Sequence, residues 1–377
     1  MAAVAPHSRR IALLTSSRVW RGSSSVFAVV ARGLAQRGHA TSALVAYDVV
    51  AAGFRARGVE TRILPVGHTT LRGARALRRA LRELGTDTVL VDRARDIRLA
   101  AFAAVGRPVA LVYCISTPRP PRDVLTRLGF RRIDLTVFLT EGLARQALAE
   151  APFLRRVPHR VIPNGVDSEL FRPDPAAGRA FRERHGLGEE PLLVGVGALE
   201  IEKRWDLLLE SLALLGRQAA TLPPPLVLCG SGALEQALRT QSASLGVDVR
   251  FVGDLEPAQL VGAYNAATCV VHTRPDEVFA LALIEALACG RPVLAVEGGG
   301  TRELLGEAGE LTPPGDPRAF AERLRILLDD GARRSVLEQA ARRRALERYS
   351  LARMVREYAE AVEELSRRRY GARPRVG

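Results

Sequence analysis

Lysine, aromatic side chains and paired cysteines are all scarce in this chain of 377 residues. Lys203 is the single lysine among 55 basic residues, and aromatic residues make up 5% of the chain. The four cysteines are scattered without a CxxC pair, which argues against a metal framework and indicates reduced, buried thiols. So few aromatic residues, with no recognisable nucleic-acid motif, leave a nucleic-acid-binding protein as a minor alternative.

Long apolar runs are missing as well. No stretch approaches the ~20 apolar residues that a membrane-spanning helix needs. Ser8-Arg9-Arg10 is similar to a twin-arginine start, but the apolar run that follows, IALL, is too short for a signal peptide and predicts a first strand instead. We therefore expect a cytoplasmic protein, which could lie peripherally on the inner face of a membrane.

Positive charge is concentrated in the first half of the chain. Residues 1–174 contain 28 arginines and 13 acidic residues, whereas residues 175–377 contain 27 basic and 28 acidic residues. The net charges of the two parts are therefore +15 and −1. Compositional bias explains the use of arginine in place of lysine, but it does not explain why the halves differ. The imbalance predicts an anionic partner, such as nucleic acid, acidic lipid or an anionic substrate.

Short apolar strands alternate with amphipathic helical segments along the chain, which predicts parallel sheets covered on both faces. A Pro- and Gly-rich break at 162–178 separates two series of such segments. We expect an α/β fold of two Rossmann-like, doubly wound domains facing a cleft, at 1–165 and 166–350, with a last helix at about 351–368 that packs back onto the first domain. The predicted strands span residues 10–16, 41–47, 61–66, 88–93, 108–114, 135–140, 160–164, 191–197, 225–230, 249–253, 269–273 and 292–296.

The stretch from His272 to Glu303 carries the most functional information. A buried strand runs into a loop that holds Glu277, and an apolar helix from about Ala280 holds Glu285. The N-terminus of that helix offers unpaired N–H groups and a positive dipole end, which suit a diphosphate. The carboxylates would repel phosphate, and they suit the hydroxyl groups of a sugar and a ribose on either side of it. The alternative is two surface glutamates on an ordinary helix.

Several short motifs, in this order and spacing, resemble the retaining glycosyltransferases of family 4, which have the two-domain GT-B fold. The resemblance covers most of the chain and is strongest from about Val161 to Leu311. Its pieces are VIPNGVD, VGVGALEIEKRWDLLLES, LCGSG, RFVGDL, the two glutamates with EALACGRPV, and GGTREL.

The resemblance implies a nucleotide-diphosphate sugar as donor and no covalent protein nucleophile. No cluster of metal-ligating residues is evident in the sequence, so we expect no metal ion and no cofactor. The resemblance assigns Lys203 to the diphosphate, Glu277 to the hydroxyl groups of the donor sugar as the catalytic candidate, and Glu285 to the ribose. A compact ammonium at a helix start also suits a phosphate oxygen on chemical grounds. The other donor-side candidates are Gly22, Arg204, Phe279, Ala280 and Leu281.

The first domain would bind the acceptor, which could be a sugar or glycan, a lipid-linked molecule or a natural product. The acceptor-side candidates are Tyr113, Ser116 and Thr117, which lie within the predicted strand segment LVYCIST, and Arg119, which follows it. Family members often carry a histidine near the end of this strand, and this chain has none there.

Other departures fall on the donor side. Ala198 stands where the family often has an arginine that would form a second diphosphate contact, and Arg204 or Arg274 would have to replace it. Val278 and Ala280 replace the two glycines of the family's Glu-Gly-Phe-Gly turn. These changes motivate a second hypothesis, a catalytically silent relative that binds a nucleotide or sugar.

Residues 71–84 form a basic amphipathic helix in this prediction. Its apolar stripe is Leu71, Ala74, Leu77, Leu81 and Leu84, and Arg72, Arg75, Arg79 and Arg82 lie off that stripe. The ordinary interpretation is a helix that packs on the sheet with a solvated face. The alternative is peripheral contact with anionic lipid through the basic half of the chain.

Overall fold

A computed structural model of the chain describes residues 8–20, 22–117, 123–219 and 222–370. The chain divides into two compact units. The first unit contains the described residues up to Asn164 and those from Ala352 onward, and the second contains Gly165–Leu351.

The first unit is built on a seven-stranded parallel sheet of order β3-β2-β1-β4-β5-β6-β7. Its strands are β1 (Arg10–Thr15), β2 (Ala40–Val45), β3 (Glu60–Ile63), β4 (Thr88–Val91), β5 (Ala110–Ile115), β6 (Leu135–Phe138) and β7 (His159–Val161). Its helices are α1 (Gly22–Gln36), α2 (Asp48–Arg55), α3 (Leu71–Glu83), α4 (Ala94–Ala103), α5 (Val124–Phe130) and α6 (Glu141–Glu150). Because the strand order reverses at β1, right-handed crossovers place α1 and α2 on one face and α3 to α5 on the other.

The second unit repeats this plan with a six-stranded parallel sheet of order β10-β9-β8-β11-β12-β13. Its strands are β8 (Leu193–Val196), β9 (Leu226–Cys229), β10 (Val249–Gly253), β11 (Cys269–His272), β12 (Val293–Val296) and β13 (Glu310–Thr312). Its helices are α7 (Pro175–Arg184), α8 (Trp205–Ala219), α9 (Glu235–Leu245), α10 (Pro257–Ala266), α11 (Leu281–Ala288), α12 (Thr301–Leu305), α13 (Pro317–Asp329) and α14 (Gly331–Tyr349).

These two sheets confirm the predicted pair of Rossmann-like, doubly wound domains. Every predicted strand is present, with its ends shifted by a few residues at most. The strand β13 was not predicted, because it is three residues long and has no continuous apolar run.

The last helix, α15 (Leu351–Tyr370), is tied to the first unit by several contacts. The Tyr358 hydroxyl donates to Cys114 Sγ over 3.7 Å, and Arg160 pairs with Glu364. Gly33 of α1 faces Val355, because a Cβ added at Gly33 would lie 2.3 Å from Val355 Cγ2. The missing side chain at Gly33 therefore lets the two helices approach closely.

The basic helix α3 buries most of its predicted stripe, including Ala74, Leu77 and Leu81. The prediction was wrong for Leu71, whose side chain is 64% exposed. Leu71 opens the helix directly after the capping residue Thr70, so it lies beyond the part of the helix that covers the sheet. Among the described residues, no helix is both long enough and apolar enough to cross a bilayer.

Replacing Gly33 with alanine should crowd Val355 and lower the free energy of unfolding of the first unit by about 1–3 kcal/mol, the usual cost of overpacking. Val355→Ala removes the methyl groups that clash, so Gly33→Ala should cost clearly less in a Val355→Ala background. Urea unfolding of the two single variants and the double variant measures this coupling. Strictly additive effects would show that Gly33 does not pack against Val355.

Candidate functional site

The candidate donor residues Lys203 and Glu277 lie in the segments after β8 and β11, which are neighbouring strands in the second sheet. The strand β8 pairs with β9 on one side and with β11 on the other, with Leu193 opposite Cys269. This is the point at which the strand order reverses, and ligands of open α/β sheets bind beside it, at the carboxyl ends of the strands. The segments after β8 and β11 contain Lys203 and Glu277, so the fold brings these residues to the same edge.

The backbone around Lys203 is fixed by buried side chains that pack beneath it. Trp205 is almost fully buried against Gly195 of β8, and its indole N–H donates to the carbonyl of Ala198 at 3.0 Å. The Thr273 hydroxyl donates to the Lys203 carbonyl at 2.7 Å, which links this segment to the end of β11. Lys203 ends a short 3₁₀ helix that begins at Ile201, whereas we predicted that it opens α8.

A glycine-rich turn after β12 holds the loop of Glu277. The Gly300 N–H donates to the Glu277 carbonyl at 2.6 Å. A Cβ at Gly298 would lie 1.8 Å from the Pro275 carbonyl oxygen, and a Cβ at Gly299 would lie 2.2 Å from that of Glu277. Only glycine fits this close approach of two backbones, so the run Gly298–Gly300 positions the catalytic candidate.

Lys203 and Glu277 form an ion pair at the centre of the site, with 2.9 Å between Lys203 Nζ and Glu277 Oε2. Two further groups approach the same oxygen, because Arg274 Nη1 is 3.7 Å from it and His272 Nε2 is 3.8 Å from it. The Lys203 and Glu277 side chains are 17% and 12% exposed. The pair is therefore shielded but still open to solvent on one side.

The pKa values of this cluster follow from burial and from its positive charges. Burial alone would raise the pKa of Glu277, but the ammonium of Lys203, with a smaller contribution from Arg274, outweighs burial and holds that pKa below its ordinary value. Burial lowers the pKa of His272 to about 4, so this imidazole is neutral at physiological pH. Glu277 is therefore a carboxylate that only accepts hydrogen bonds.

The helix α11 starts directly after this loop. Its capping residue, Ala280, has no side-chain oxygen, so the N–H groups of the first turn, from Leu281 onward, receive no side-chain cap. Phe279 is buried and packs edge-on against Tyr349. Glu285, one turn into the helix, accepts a hydrogen bond from the buried Tyr264 hydroxyl at 2.8 Å, and burial raises its pKa.

Arg204 and Arg274, the two possible replacements for the arginine missing at Ala198, differ in their surroundings. The Arg204 guanidinium makes a forked contact with Asp206 at 3.1–3.2 Å. Arg274 contacts Asp276 at 3.0 Å and also approaches Glu277. Arg274 is therefore the arginine that the structure brings to the Lys203–Glu277 pair.

The remaining candidates lie in the first unit. Gly22 is exposed and begins α1, after β1. Tyr113 is only 5% exposed and packs edge-on against Phe130. Ser116 and Thr117 follow β5, where Ser116 is half-buried and Thr117 is exposed, and Arg119 lies outside the described residues.

Our sequence reasoning missed two carboxylates at the carboxyl edge of the first sheet, where the strand order reverses between β1 and β4. Asp96 is buried, and its Oδ2 accepts the Ser16 N–H at 2.8 Å. Asp92 follows β4, and its buried Oδ1 has no hydrogen-bond partner in the described part of the chain. Two acidic residues four positions apart after the apolar strand TVLV were the signal that could have revealed this cluster.

Comparison with known proteins gives one family and a consistent set of relatives. Residues 179–344 match the family described as Glycosyl transferases group 1. The chain is 40% identical over 191 residues to a D-inositol 3-phosphate glycosyltransferase of Frankia alni, covering 47% of this chain and 46% of that protein. It is 32% identical over 228 residues to a GDP-mannose-dependent alpha-(1-6)-phosphatidylinositol monomannoside mannosyltransferase of Mycolicibacterium smegmatis, covering 57% and 58%. The chain thus spans about half the length of the curated relatives that it matches.

Solved structures match over nearly the whole chain. HepE of Anabaena, crystallised in complex with UDP, superposes with a TM-score of 0.81 at 20% identity and covers 94% of this chain and 100% of its own. At this identity the likeness shows the GT-B fold alone.

The buried Asp96 should make the stability of the first unit depend on pH. Burial, with a smaller contribution from Asp92, raises the pKa of Asp96 to about 6 in the folded protein, above its unfolded value near 3.8. The folded state therefore binds the proton more tightly, so the free energy of unfolding falls as pH rises from about 4 to about 6 and stays lower above that. Asp96→Asn keeps an acceptor for Ser16 and should be more stable than the wild type at pH 7.5 by up to roughly 3 kcal/mol.

Urea unfolding at acidic and at slightly alkaline pH checks this expectation. Asp87→Asn is the matched control, because Asp87 Oδ2 also accepts a backbone N–H, that of Arg10 at 2.8 Å, but at an exposed position. If Asp96→Asn followed the same pH dependence as the wild type, the carboxyl group would not carry a raised pKa.

Proposed function

We propose that this chain, whose residues 179–344 match the family described as Glycosyl transferases group 1, is a retaining glycosyltransferase that moves a sugar from a nucleotide-diphosphate sugar to an acceptor. The observation that carries the proposal is the meeting of Lys203 and Glu277 at the strand reversal of the second sheet, beside the uncapped N-terminus of α11. One group suits phosphate, the other suits hydroxyl groups, and both stand where such sheets bind ligands.

Without ligand, Lys203 and Glu277 neutralise each other in a shielded place, where an unpaired charge would be costly. A diphosphate offers Lys203 stronger acceptor oxygens, so donor binding should move the ammonium from Glu277 to the phosphate. Glu277 then accepts hydrogen bonds from the hydroxyl groups of the donor sugar. Its lowered pKa supports this role, because the carboxylate stays ionised near neutral pH.

Positive charge at the diphosphate matters most as the sugar leaves, because the leaving group then gains negative charge. Lys203, Arg274 and the N–H groups at the start of α11 would stabilise that charge in the transition state. Arg274 would also take the part of the arginine missing at Ala198. We propose that these groups neutralise the diphosphate with no metal ion, so transfer should persist in the presence of a chelator.

Glu285 would bind the ribose hydroxyl groups. Its Oε2 already accepts from Tyr264, which fixes the orientation of the carboxylate on α11. Burial favours the protonated form, so a hydrogen bond donated by a ribose hydroxyl would help to keep this group ionised.

The acceptor would bind to the first unit through Ser116, Thr117 and Arg119, since the Tyr113 side chain is buried against Phe130. The names of two relatives include inositol 3-phosphate and phosphatidylinositol monomannoside, which favours a hydroxyl-rich acceptor carrying phosphate. Such an acceptor would suit the excess of arginine in residues 1–174. We place the reaction in the cytoplasm.

Lys203→Ala should weaken binding of a nucleoside diphosphate by roughly 10- to 100-fold, because it removes a charge-assisted hydrogen bond. Isothermal titration calorimetry with UDP and GDP measures the change. Arg217→Ala removes an exposed charge near the far end of α8 and is the matched control. Equal affinities of the wild type and Lys203→Ala would leave Lys203 as a structural partner of Glu277 with no part in nucleotide binding.

Glu277→Gln should reduce the rate of transfer far more than it weakens nucleotide binding, because the amide can no longer act as an acceptor only. Glu285→Gln should show the opposite balance and weaken nucleotide binding through the ribose. Transfer assays and calorimetry on both variants separate the two roles. Full transfer activity in both would show that the two glutamates are not part of the site.

A catalytically silent relative is the second candidate, and Ala198 is the observation that favours it. The two candidates differ in turnover. A silent protein would bind nucleotide through Lys203 and would neither transfer nor hydrolyse any nucleotide sugar in a donor panel.

A further inference from the structure

Five large apolar side chains are exposed together on the helical layer of the first unit, and we call them the α4–α5 patch. They are Phe102, Val105, Val124, Leu125 and Leu128, which are 49–77% exposed. Single exposed apolar residues are common and need no explanation, whereas a cluster marks an interaction site.

The helices α4 and α5 pack against each other, so the exposed residues of both lie on one helix pair. A Cβ added at Gly129 of α5 would lie 3.0 Å from Ile97 Cγ2 of α4. The Arg132 guanidinium, just after α5, donates to the Ala104 carbonyl at the end of α4 over 3.0 Å. The exposed residues of both helices therefore belong to the outer side of one helix pair.

Arginines border the patch. Arg78 of α3 donates to the carbonyls of Ala103 and Val105 at 3.2 and 2.6 Å, which places the basic helix directly beside the end of α4. Four exposed arginines lie on α3 and two on or just after α5, and of these only Arg79 forms an ion pair with another described residue, Glu83. These six are Arg72, Arg75, Arg79, Arg82, Arg127 and Arg131.

This arrangement changes the sequence-based hypothesis of lipid contact through α3. The apolar stripe of α3 is turned into the first unit, so α3 can offer charge but little apolar surface. The exposed apolar surface comes instead from α4, α5 and the residue Val105 that follows α4. Charge and apolar side chains together are what an interfacial membrane site requires, and neither suffices alone.

We propose that the α4–α5 patch and the arginines around it dock the protein onto an anionic lipid bilayer. The apolar side chains enter the boundary between headgroups and acyl chains, and the arginines contact lipid phosphates. A nucleic acid would use the arginines and could stack a base on Phe102, but it would gain little from the four aliphatic side chains, since bases stack on aromatic ones. A second copy of this chain would bring the same positive charge and would be repelled. The inference does not depend on the proposed transfer reaction.

Vesicle co-sedimentation of the 377-residue chain tests the proposal. Vesicles of phosphatidylcholine alone are compared with vesicles of equal parts phosphatidylcholine and phosphatidylglycerol. The wild type should bind the anionic vesicles at least roughly tenfold more tightly, and binding should weaken as salt shortens the Debye length below about 8 Å.

Two sets of variants separate the apolar and the charged contributions. Leu125→Ser with Leu128→Ser should weaken binding to anionic vesicles by roughly tenfold or more, because each removes a side chain that would leave water. Replacing Arg72, Arg75, Arg79 and Arg82 with Gln should weaken it by a similar or larger factor. The matched control is Val336→Ser with Leu346→Ser, two exposed apolar residues of α14 in the second unit. Thermal unfolding confirms that the variants are folded.

Three outcomes would overturn the proposal. The first is wild-type vesicle binding by Leu125→Ser with Leu128→Ser, which would mean that only charge acts. The second is a stable dimer in light scattering that the leucine variants convert to monomer, which would assign the patch to a second copy. The third is no preference of the wild type for anionic vesicles.

Discussion

The position of β8 between β9 and β11 is the constraint on which the candidate site depends. In a parallel sheet the carboxyl ends of neighbouring strands share one edge, so the loops after β8 and β11 must meet. Those loops carry a lysine and a glutamate that are 74 positions apart in the chain. The packing beneath them, with Trp205 under one loop and the glycine turn at Gly298–Gly300 behind the other, holds the two side chains in place.

The Lys203–Glu277 pair gives this edge two chemical properties at once. In the free protein each charge satisfies the other, so the site can be shielded without leaving a charge unpaired. In the proposed function, ligand binding would replace this one ion pair with two sets of contacts, phosphate with the ammonium and hydroxyl groups with the carboxylate. All the remaining basic residues of the chain are arginine, and its single lysine lies at this site. A small ammonium can change partners more easily than a forked guanidinium.

Much of the fold could be predicted because its information is local. The strand at Val249–Gly253 was predicted with its observed bounds, since a short apolar run between turn residues determines it. Lys203 and Glu277 were found as candidates from motif order and residue type. Their mutual contact and the approach of Arg274 could not be predicted, because these depend on which strands are neighbours. The exposure of Leu125 and Leu128 could not be predicted either. Helical spacing predicts that a leucine is buried, but it does not show whether a neighbouring element covers that leucine.

The central claim is that Lys203 exchanges Glu277 for a phosphate when ligand binds. This exchange can be observed directly because Lys203 is the single lysine of the chain. In protein grown with ¹³C,¹⁵N-labelled lysine, the side-chain ε-methylene gives one NMR signal, because the chain has one lysine. Titration with a nucleoside diphosphate should move this signal saturably, with the affinity found by calorimetry. In Glu277→Gln the signal of the free protein should differ from that of the wild type, and the two should converge when ligand is bound. A lysine signal that stays fixed while calorimetry reports saturated binding would contradict the claim.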